Sequence, residues 1–244
     1  LKNYKMTNSY QNKVYRSSNN IKFYYLEIFK HASKCFKLKD KIDILDLGCA
    51  SGDLVIFLSK KFSNSKITGI DTDVKNINFG KKKIKSHKLE KRINLLNYNF
   101  TKFPTNKKFD LIIASGFLGF FDDFKRPLNK MTKLLKNKNS KIIIFGDFNS
   151  SGIDKIVKFR NVNNKKINYW LEGLTSFSIK TLQDYLVKKE YKLYKTKFNL
   201  PKDIGSFKNN PIRSISRILK GYGRIIFSRV NLIFEFHTLI ISKK

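Results

Sequence analysis

Apolar residues along this chain follow two alternating spacings, and each change of spacing marks a new element. A spacing of three and four residues in the segment 21–37 predicts an amphipathic helix. The short apolar run at 42–47 is typical of a strand that is buried on both faces. Helical spacing returns at 54–58, directly after a turn of small residues. Alternating strands and helices of this kind predict an α/β fold with a mainly parallel sheet.

Further apolar runs predict the rest of the sheet. Segments 67–71, 109–114 and 141–147 have the length and the β-branched composition of buried parallel strands. Segments 191–198 and 230–242 predict the last two strands, an antiparallel pair that closes the sheet. Ser178 is the candidate N-cap of the helix that precedes this pair.

The turn of small residues is the most informative stretch of the chain. It reads D-x-G-x-A-x-G, with Asp46 before Gly48, Ala50 and Gly52. Glycines allow the backbone to approach a ligand closely, and a strand, a tight loop and a helix N-terminus together form the usual cradle of a nucleotide-like cofactor. The loop departs from the dinucleotide fingerprint G-x-G-x-x-G, because Ala50 replaces the middle glycine and no third glycine lies at the required spacing.

Carboxylates follow several of the predicted strands, where a parallel sheet binds its ligands. Asp46, Asp71 and Asp147 all fall at such carboxyl ends, whereas Asp110 begins its strand and should bind backbone at the opposite edge. A loop flanked by Asp46 and Asp53 without a lysine suits a cationic ligand better than a pyrophosphate. An acid at the end of the second strand, here Asp71, binds ribose hydroxyls in folds of this kind.

The loop resembles motif I of class I S-adenosylmethionine (SAM) methyltransferases. The segment 98–104 also resembles the D-x-x-x-[LF]-P segment of that family, whose acid contacts the adenine amino group, although Asn99 replaces the acid here. The resemblance implies a Rossmann-like fold with a mainly parallel seven-stranded sheet, an antiparallel last strand and helices on both faces. It implies SAM as the cofactor and no metal, with the following cofactor-binding residues: Asp46, Gly48, Cys49, Ala50, Gly52, Asp71, Thr72, Asn99, Phe100, Ser115 and Tyr15.

The same resemblance implies one methyltransferase domain over residues 1–244. Its expected parts are an N-terminal helical lid (1–40), a SAM-binding core (41–150), an acceptor-side insertion (151–180) and a C-terminal helix with the closing strands (181–244).

Charge bears on the methyl acceptor. The 244 residues carry a net charge of +33, and the abundance of lysine beside asparagine, isoleucine and phenylalanine is typical of an AT-rich genome, so the charge reflects either function or genome composition. Only eight of the 51 basic residues are arginine, yet four of these lie within 17 residues, at 213, 217, 224 and 229. Guanidinium groups bind phosphate and carboxylate through a planar fork, so this cluster favours an anionic acceptor, with a solvated basic loop as the alternative.

Acceptor and catalytic residues are predicted from chemistry and placement. Candidate acceptor-binding residues are Arg160, Tyr169, Trp170, Arg213 and Arg217. Methyl transfer depends mainly on alignment, and a base is needed only for an acceptor that must lose a proton. Asp147 and Asp122 are the candidate bases, because no histidine of the chain is convincingly placed for this role. An acceptor that is already anionic would need none.

The C-terminal third is similar to small methyltransferases of bacterial capsule and surface-polysaccharide gene clusters. This implies a small anionic acceptor, a phosphorylated or phosphoramidate-bearing precursor of capsular polysaccharide, with O-methylation of a sugar hydroxyl as an alternative. The charge also leaves an RNA methyltransferase open, although neither Asn-Pro-Pro-Tyr nor a Pro-Cys nucleophile is present. Peripheral docking on an anionic inner leaflet is a third alternative.

Cysteine content and hydropathy predict the compartment. Cys35 and Cys49 are too few for a disulfide scaffold and lack metal-binding spacing. The longest apolar run, 232–241, is interrupted by Glu235 and His237 and is too short to span a bilayer. With no apolar leader visible, we expect a reduced cytoplasmic protein.

Overall fold

The computed structural model describes residues 21–160, 169–172, 175–205, 215–227 and 235–243. The helices of these ranges are α1 (Phe23–Cys35), α2 (Asp53–Lys61), α3 (Val74–Ser86), α4 (Lys125–Lys133) and α5 (Ile179–Val187). The strands are β1 (Asp43–Leu47), β2 (Lys66–Asp71), β3 (Ile93–Asn97), β4 (Leu111–Ser115), β5 (Lys141–Asn149), β6 (Lys158–Phe159), β7 (Leu171–Glu172), β8 (Phe177–Ser178), β9 (Tyr191–Lys197), β10 (Ile215–Leu219), β11 (Gly223–Phe227) and β12 (Glu235–Lys243).

One large sheet holds the domain together. Its seven principal strands lie in the order β3-β2-β1-β4-β5-β12-β9, and the two-residue strand β8 pairs with β5 beside this path. The strands from β3 to β5 are parallel, whereas β12 runs antiparallel to both β5 and β9. The predicted fold, a mainly parallel sheet with an antiparallel last strand, is therefore confirmed.

Helices cover both faces of the sheet, because the buried strands send alternate side chains to opposite sides. In β1, Ile44 packs with α1, α2 and α3, whereas Leu45 packs with α4 and α5. A strand that is apolar on both faces must read as a continuous apolar run, and β1 does so. This explains why strand positions could be located by their apolar runs alone.

Element boundaries differ from the predicted ones by a few residues. Helix α1 ends at Cys35 because Phe36 adopts an extended backbone. Strand β5 continues beyond the predicted end at Asp147 to Asn149, where it pairs with β8. Ser178 is the N-cap of α5, as predicted, and its hydroxyl accepts the backbone N–H of Lys180 at 3.1 Å.

The two edges of the parallel strands carry different chemistry. The carboxyl ends of β1, β2, β4 and β5 form one edge, where the D-x-G-x-A-x-G loop lies. At the opposite edge, the carboxylate of Asp110 accepts the backbone N–H of Asp43 at 2.9 Å and also contacts Lys136. The structural role predicted for Asp110 is therefore confirmed, and Asp110 lies far from the ligand-binding edge.

Smaller elements lie outside the main sheet. β6 and β7 form one two-stranded antiparallel sheet, and β10 and β11 form another. Within the described ranges, no helix combines the length and the apolar character needed to cross a membrane. The division of residues 1–244 into lid, core, insertion and closing strands stays a prediction.

Candidate functional site

A cavity of about 390 Å³ lies at the carboxyl edge of the parallel strands. That size falls within the range of sites for small molecules and cofactors. The loop after β1, the end of β2, the segment after β3 and the ends of β4 and β5 all contribute to its walls. Ten of the residues predicted from sequence line it: Asp46, Gly48, Cys49, Ala50, Asp71, Thr72, Asn99, Phe100, Ser115 and Asp147.

The loop after β1 owes its shape to left-handed backbone. Gly48 and Gly52 have φ values of 72° and 75°, and Ala50 reaches 47°, a region that costs energy for a residue with a Cβ. The N–H groups of Gly48 and Cys49 both donate to the carbonyl of Ile70. Gly52 is the N-cap of α2 and does not line the cavity, so its contribution is to turn the chain into the helix.

Asp71 connects this loop to the end of β2. One carboxylate oxygen, Oδ2, accepts the N–H of Ala50 at 2.9 Å, and the other, Oδ1, accepts the N–H of Asp73 at 2.8 Å. Burial raises the pKa of Asp71, and these backbone hydrogen bonds partly offset the rise. The backbone of Thr72 adds a further hydrogen bond. A carboxylate has about four acceptor sites, so Asp71 can still accept from a hydroxyl group of a ligand.

Asp46 is the most buried carboxyl of the cavity wall, with 2% of its surface exposed. Burial, together with the negative charge of Asp71, raises the pKa of Asp46 to about 8. A carboxyl held in this way is stabilised as the anion when a cation lies beside it. Asp46 therefore provides a place for a positively charged part of a ligand.

The raised pKa of Asp46 should make the stability of the protein depend on pH. The pKa of Asp46 is about 8 in the folded chain, against a reference value of 3.8. Between these values the ligand-free fold binds a proton that the unfolded chain has released. The free energy of unfolding should therefore fall as pH rises towards 8, by about 1.4 kcal/mol per pH unit for this group. Urea unfolding between about pH 6 and pH 8 would measure the slope.

Asp46→Asn is the matched control for that slope, since it keeps the shape of the side chain and removes its titration. We expect the variant to have a flatter profile than the parent protein over the same pH interval. Identical profiles for the two proteins would show that the raised pKa of Asp46 is wrong.

Asn99 caps a short 3-10 turn at the cavity wall. Its Oδ1 accepts both the backbone N–H and the hydroxyl of Thr101, each at 2.9 Å. Both lone pairs of this oxygen are thus used within the turn. An adenine amino group would have to compete with Thr101, so the predicted contact through the Asn99 carbonyl is less available than the sequence indicates.

The loop itself contains no lysine, but Asp53 at its end has a basic partner from another helix. Lys83 of α3 forms an ion pair with Asp53, the first residue of α2. The sequence motif could not show this partner, because it lies 30 residues away. Asp53 is therefore neutralised by the protein, and Asp46 is the carboxyl of this loop that remains for a ligand.

Two glycines outside the motif bring the loop against the sheet and α3. A Cβ on Gly69 would lie 2.8 Å from the Sγ of Cys49, and a Cβ on Gly80 would lie 2.8 Å from the carbonyl oxygen of Ser51. Both would also meet Leu95 at 2.6 Å. Cys49 is buried and fills the space between loop and sheet, and burial raises the pKa of its thiol.

Aromatic rings form the other half of the cavity. Tyr24 from α1, Phe145 from β5 and Phe236 from β12 stack in a row, with ring centroids 5.5 Å apart at each step. Phe117 follows β4 and contacts Phe121 at 5.2 Å. All five rings line the cavity. We refer to this region, together with Asp147, as the aromatic half.

Asp147 lies in β5, two positions after Phe145, so both side chains project from the same face of the strand. In the antiparallel register, Asp147 lies directly opposite Phe236, which places these two side chains side by side. Burial raises the pKa of Asp147 to about 7, and the positive charge of Lys155 offsets part of that rise.

Several predicted acceptor or catalytic residues do not line the cavity. Asp122 pairs with Lys158 at 2.9 Å, so the structure does not bring this candidate base to the site. Arg160 lies 5.7 Å from the ring centroid of Trp170, and Trp170 and Tyr169 are exposed. None of these three residues lines the cavity.

The arginine cluster is only partly described. Arg217 and Arg224 lie on the β10–β11 hairpin at positions that pair with Ile225 and Ile218, so their side chains project from opposite faces. Arg217 donates to its neighbour's carbonyl at 2.7 Å, and Arg224 binds Asp203 at 2.9 Å. Neither lines the cavity. Tyr15 and Arg213 lie outside the described residues.

The histidines occupy positions away from the cavity walls. His31 is buried in α1 and bonds with Glu27 at 2.8 Å. His87 is the C-cap of α3, and His237 is buried in β12 opposite Gly146. In the described part of the chain, no group of three His, Cys, Asp or Glu side chains could hold a metal ion.

Sequence reasoning missed Asp73 and the aromatic row. Asp73 lines the cavity and is the N-cap of α3, where its carboxylate accepts the N–H groups of Lys75 and Asn76. An aspartate just before a helical stretch was an available signal for this cap. The aromatic row comes from three elements that are far apart in sequence, so no local sequence pattern predicts it.

The residues present fit SAM. All five charged side chains among the described lining residues are carboxylates: Asp46, Asp53, Asp71, Asp73 and Asp147. SAM carries a sulfonium and an ammonium, with no phosphate that would require a cation. Asp71 can accept a hydrogen bond from a ribose hydroxyl, and Asp46 suits a positively charged group.

Comparison with known sequences gives one family and several relatives. Residues 38–192 match the family described as a methyltransferase domain. A malonyl-(acyl-carrier protein) O-methyltransferase of Priestia megaterium is 28% identical over 116 residues, which cover 48% of this chain and 40% of that protein. The (S)-coclaurine N-methyltransferase of Papaver somniferum is 28% identical over 101 residues, covering 41% and 28%. The matches thus span less than half the length of these curated relatives.

Solved structures share the fold. The YcgJ protein of Bacillus subtilis aligns with a TM-score of 0.60 at 11% identity, covering 91% of this chain and all of that one. TehB of Haemophilus influenzae aligns with a TM-score of 0.57 at 16% identity, covering 97% and 66%. At such identities the likeness establishes the arrangement of strands and helices only.

Proposed function

This chain belongs to the methyltransferase domain family, of the SAM-dependent class, and on that premise we propose that it transfers a methyl group from SAM to a small acceptor. The observation that supports the proposal is the part of the cavity that contains Asp46, the loop after β1 and Asp71, which we call the acidic half. There the loop after β1 and Asp71 at the end of β2 form a site for a cationic nucleoside without a basic side chain among the described walls.

The proposed roles follow from the contacts. Asp71 fixes the loop through the N–H of Ala50 and offers its remaining acceptor capacity to the ribose hydroxyls. Asp46 binds the positively charged methionine end. Gly48 lacks a Cβ, so its backbone can approach the ligand closely. Phe100, which is buried at the wall, supplies an apolar surface for the base.

SAM, when bound, supplies an electrophilic methyl group. The protein's own contribution is to bind the acceptor in line with that group and to exclude water, which can account for much of the lowering of the barrier. The aromatic half is the part of the cavity that remains for the acceptor, because the acidic half is assigned to the cofactor. Asp147 is the charged residue of that half.

An anionic acceptor, such as a phosphorylated or phosphoramidate-bearing precursor of capsular polysaccharide, is supported by the arginine-rich segment alone. Two of its arginines, Arg217 and Arg224, do not line the cavity, and their side chains project from opposite faces of the hairpin. The named relatives are an O-methyltransferase and an N-methyltransferase, so they support neither oxygen nor nitrogen in particular. We therefore rank the anionic acceptor second.

Calorimetric titration tests the proposed function directly. Purified protein should bind SAM and its demethylated product, S-adenosylhomocysteine, with dissociation constants in the micromolar range, about −8 kcal/mol. ATP is the matched control, because it offers the same adenosine with a triphosphate that the acidic wall should repel. Absence of heat with both SAM and S-adenosylhomocysteine would contradict the proposal, as would tighter binding of ATP.

The RNA methyltransferase alternative predicts a different result. A gel shift with transfer RNA would show a complex whose affinity falls steeply with salt. Binding that persists at physiological salt, together with methylation of the RNA, would favour that alternative over a small acceptor.

A further inference from the structure

The aromatic half of the cavity differs in chemistry from the arginine-rich surface. Its walls include the stacked row of Tyr24, Phe145 and Phe236, and Phe117 beside the end of β4. Asp147 projects from the same face of β5 as Phe145 and lies opposite Phe236 in the register. One carboxyl is thus set among aromatic rings.

The charges around Asp147 do not include a cation within the cavity. Among the described residues, no lysine or arginine lines the walls. Lys155 acts on Asp147 electrostatically from outside the lining, yet burial outweighs it and the pKa of Asp147 rises to about 7. An anionic acceptor would meet Asp147 here, and Asp46 and Asp71 further along the cavity.

We propose that the acceptor is an amine, bound in the aromatic half through the carboxylate of Asp147 and the faces of the surrounding rings. This inference rests on the proposed function. A carboxylate attracts an ammonium group by charge, and aromatic faces attract the same group through their quadrupoles. Neither group attracts a phosphate, so the walls select for positive charge.

Asp147 also has a place in preparing such an acceptor. An ammonium nitrogen has no lone pair, so it must release a proton before it can be methylated. The carboxylate of Asp147, which we place against the ammonium group, can accept that proton: the ammonium becomes a neutral amine as Asp147 becomes a carboxylic acid. We therefore assign Asp147 both acceptor binding and proton acceptance.

The test uses three probes of similar size that differ in charge. Benzylamine is cationic near neutral pH, benzyl alcohol is neutral and phenyl phosphate is anionic. The protein is first saturated with S-adenosylhomocysteine, and each probe is then titrated calorimetrically. Benzylamine should bind at least about tenfold more tightly than benzyl alcohol, and phenyl phosphate should bind least tightly of the three.

Asp147→Asn should lower the affinity for benzylamine about tenfold or more and remove its advantage over benzyl alcohol. The affinity for S-adenosylhomocysteine should not change. Asp184→Asn is the matched control, because Asp184 is an exposed aspartate that pairs with Lys180 on α5. If Asp147→Asn does not fold, Phe236→Leu replaces it and should weaken benzylamine binding about threefold while sparing benzyl alcohol.

The outcomes separate the two proposals. If S-adenosylhomocysteine does not bind to the parent protein, the proposed function fails. If it binds but benzylamine has no advantage over the other probes, or phenyl phosphate binds most tightly, the amine acceptor is wrong. Unchanged benzylamine binding in a folded Asp147→Asn protein, or in Phe236→Leu where that variant stands in, would also overturn the inference.

Discussion

Replacing Asp71 with alanine is expected to weaken SAM binding about a hundredfold or more. The change removes the carboxylate to which we assign the ribose hydroxyls, and each hydrogen bond to a charged group contributes about 1.5–3 kcal/mol. It also frees the N–H groups of Ala50 and Asp73, which the carboxylate binds at 2.9 and 2.8 Å. The loop after β1 then loses its connection to β2. Calorimetry with SAM measures the effect, and circular dichroism verifies the fold.

Asp110→Ala is the matched control for that experiment. Asp110 also accepts a backbone N–H, that of Asp43, but it does so at the opposite edge of the same parallel strands. Both variants should therefore lose some stability, whereas SAM affinity should fall only in Asp71→Ala. Equal SAM affinities in the two variants would contradict the role assigned to Asp71.

Much of the fold could be predicted because the relevant signals are local. The apolar runs of β1, β2, β4 and β5 are buried on both faces, so their positions follow from composition alone. The left-handed loop between β1 and α2 is marked by glycines at 48 and 52. The same signals predict the edge of the sheet at which the cofactor site lies. The roles of the individual residues stay predictions until they are measured.

Other parts of the site depend on partners distant in sequence. Lys83 pairs with Asp53, which lies 30 residues away in sequence. Thr101 donates two hydrogen bonds to the side-chain oxygen of Asn99, the atom that the family resemblance assigns to adenine. The aromatic row joins α1, β5 and β12. No spacing rule predicts such contacts, since they arise from tertiary packing.

The arginine-rich segment shows how composition alone can mislead. Its four guanidinium groups are close in sequence, which favoured a phosphate site. In a β-hairpin, however, neighbouring positions project to opposite faces, and Arg217 and Arg224 diverge for that reason. Arg224 is further engaged with Asp203. Proximity in sequence is therefore weak support for a shared ligand here.

The second large effect is expected from Gly80→Ala. In an exposed helix this change would stabilise the protein by about 1 kcal/mol, because alanine has the higher helix propensity. Gly80 of α3 is buried, and an added Cβ would lie 2.8 Å from the carbonyl oxygen of Ser51 and 2.6 Å from the side chain of Leu95. Ser51 belongs to the loop after β1, so the methyl group must displace backbone as well as the Leu95 side chain.

The clash should reverse the sign of the substitution and reach the cofactor site. We expect Gly80→Ala to lose about 1–3 kcal/mol of stability, the usual cost of overpacking, and to weaken SAM binding as the loop is displaced. Gly205→Ala is the control, because Gly205 is exposed and its Cβ would meet no atom of the described residues within 4 Å. Urea unfolding and calorimetry measure both effects. A Gly80→Ala protein that is more stable than the parent would show that α3 and the loop are not in close contact.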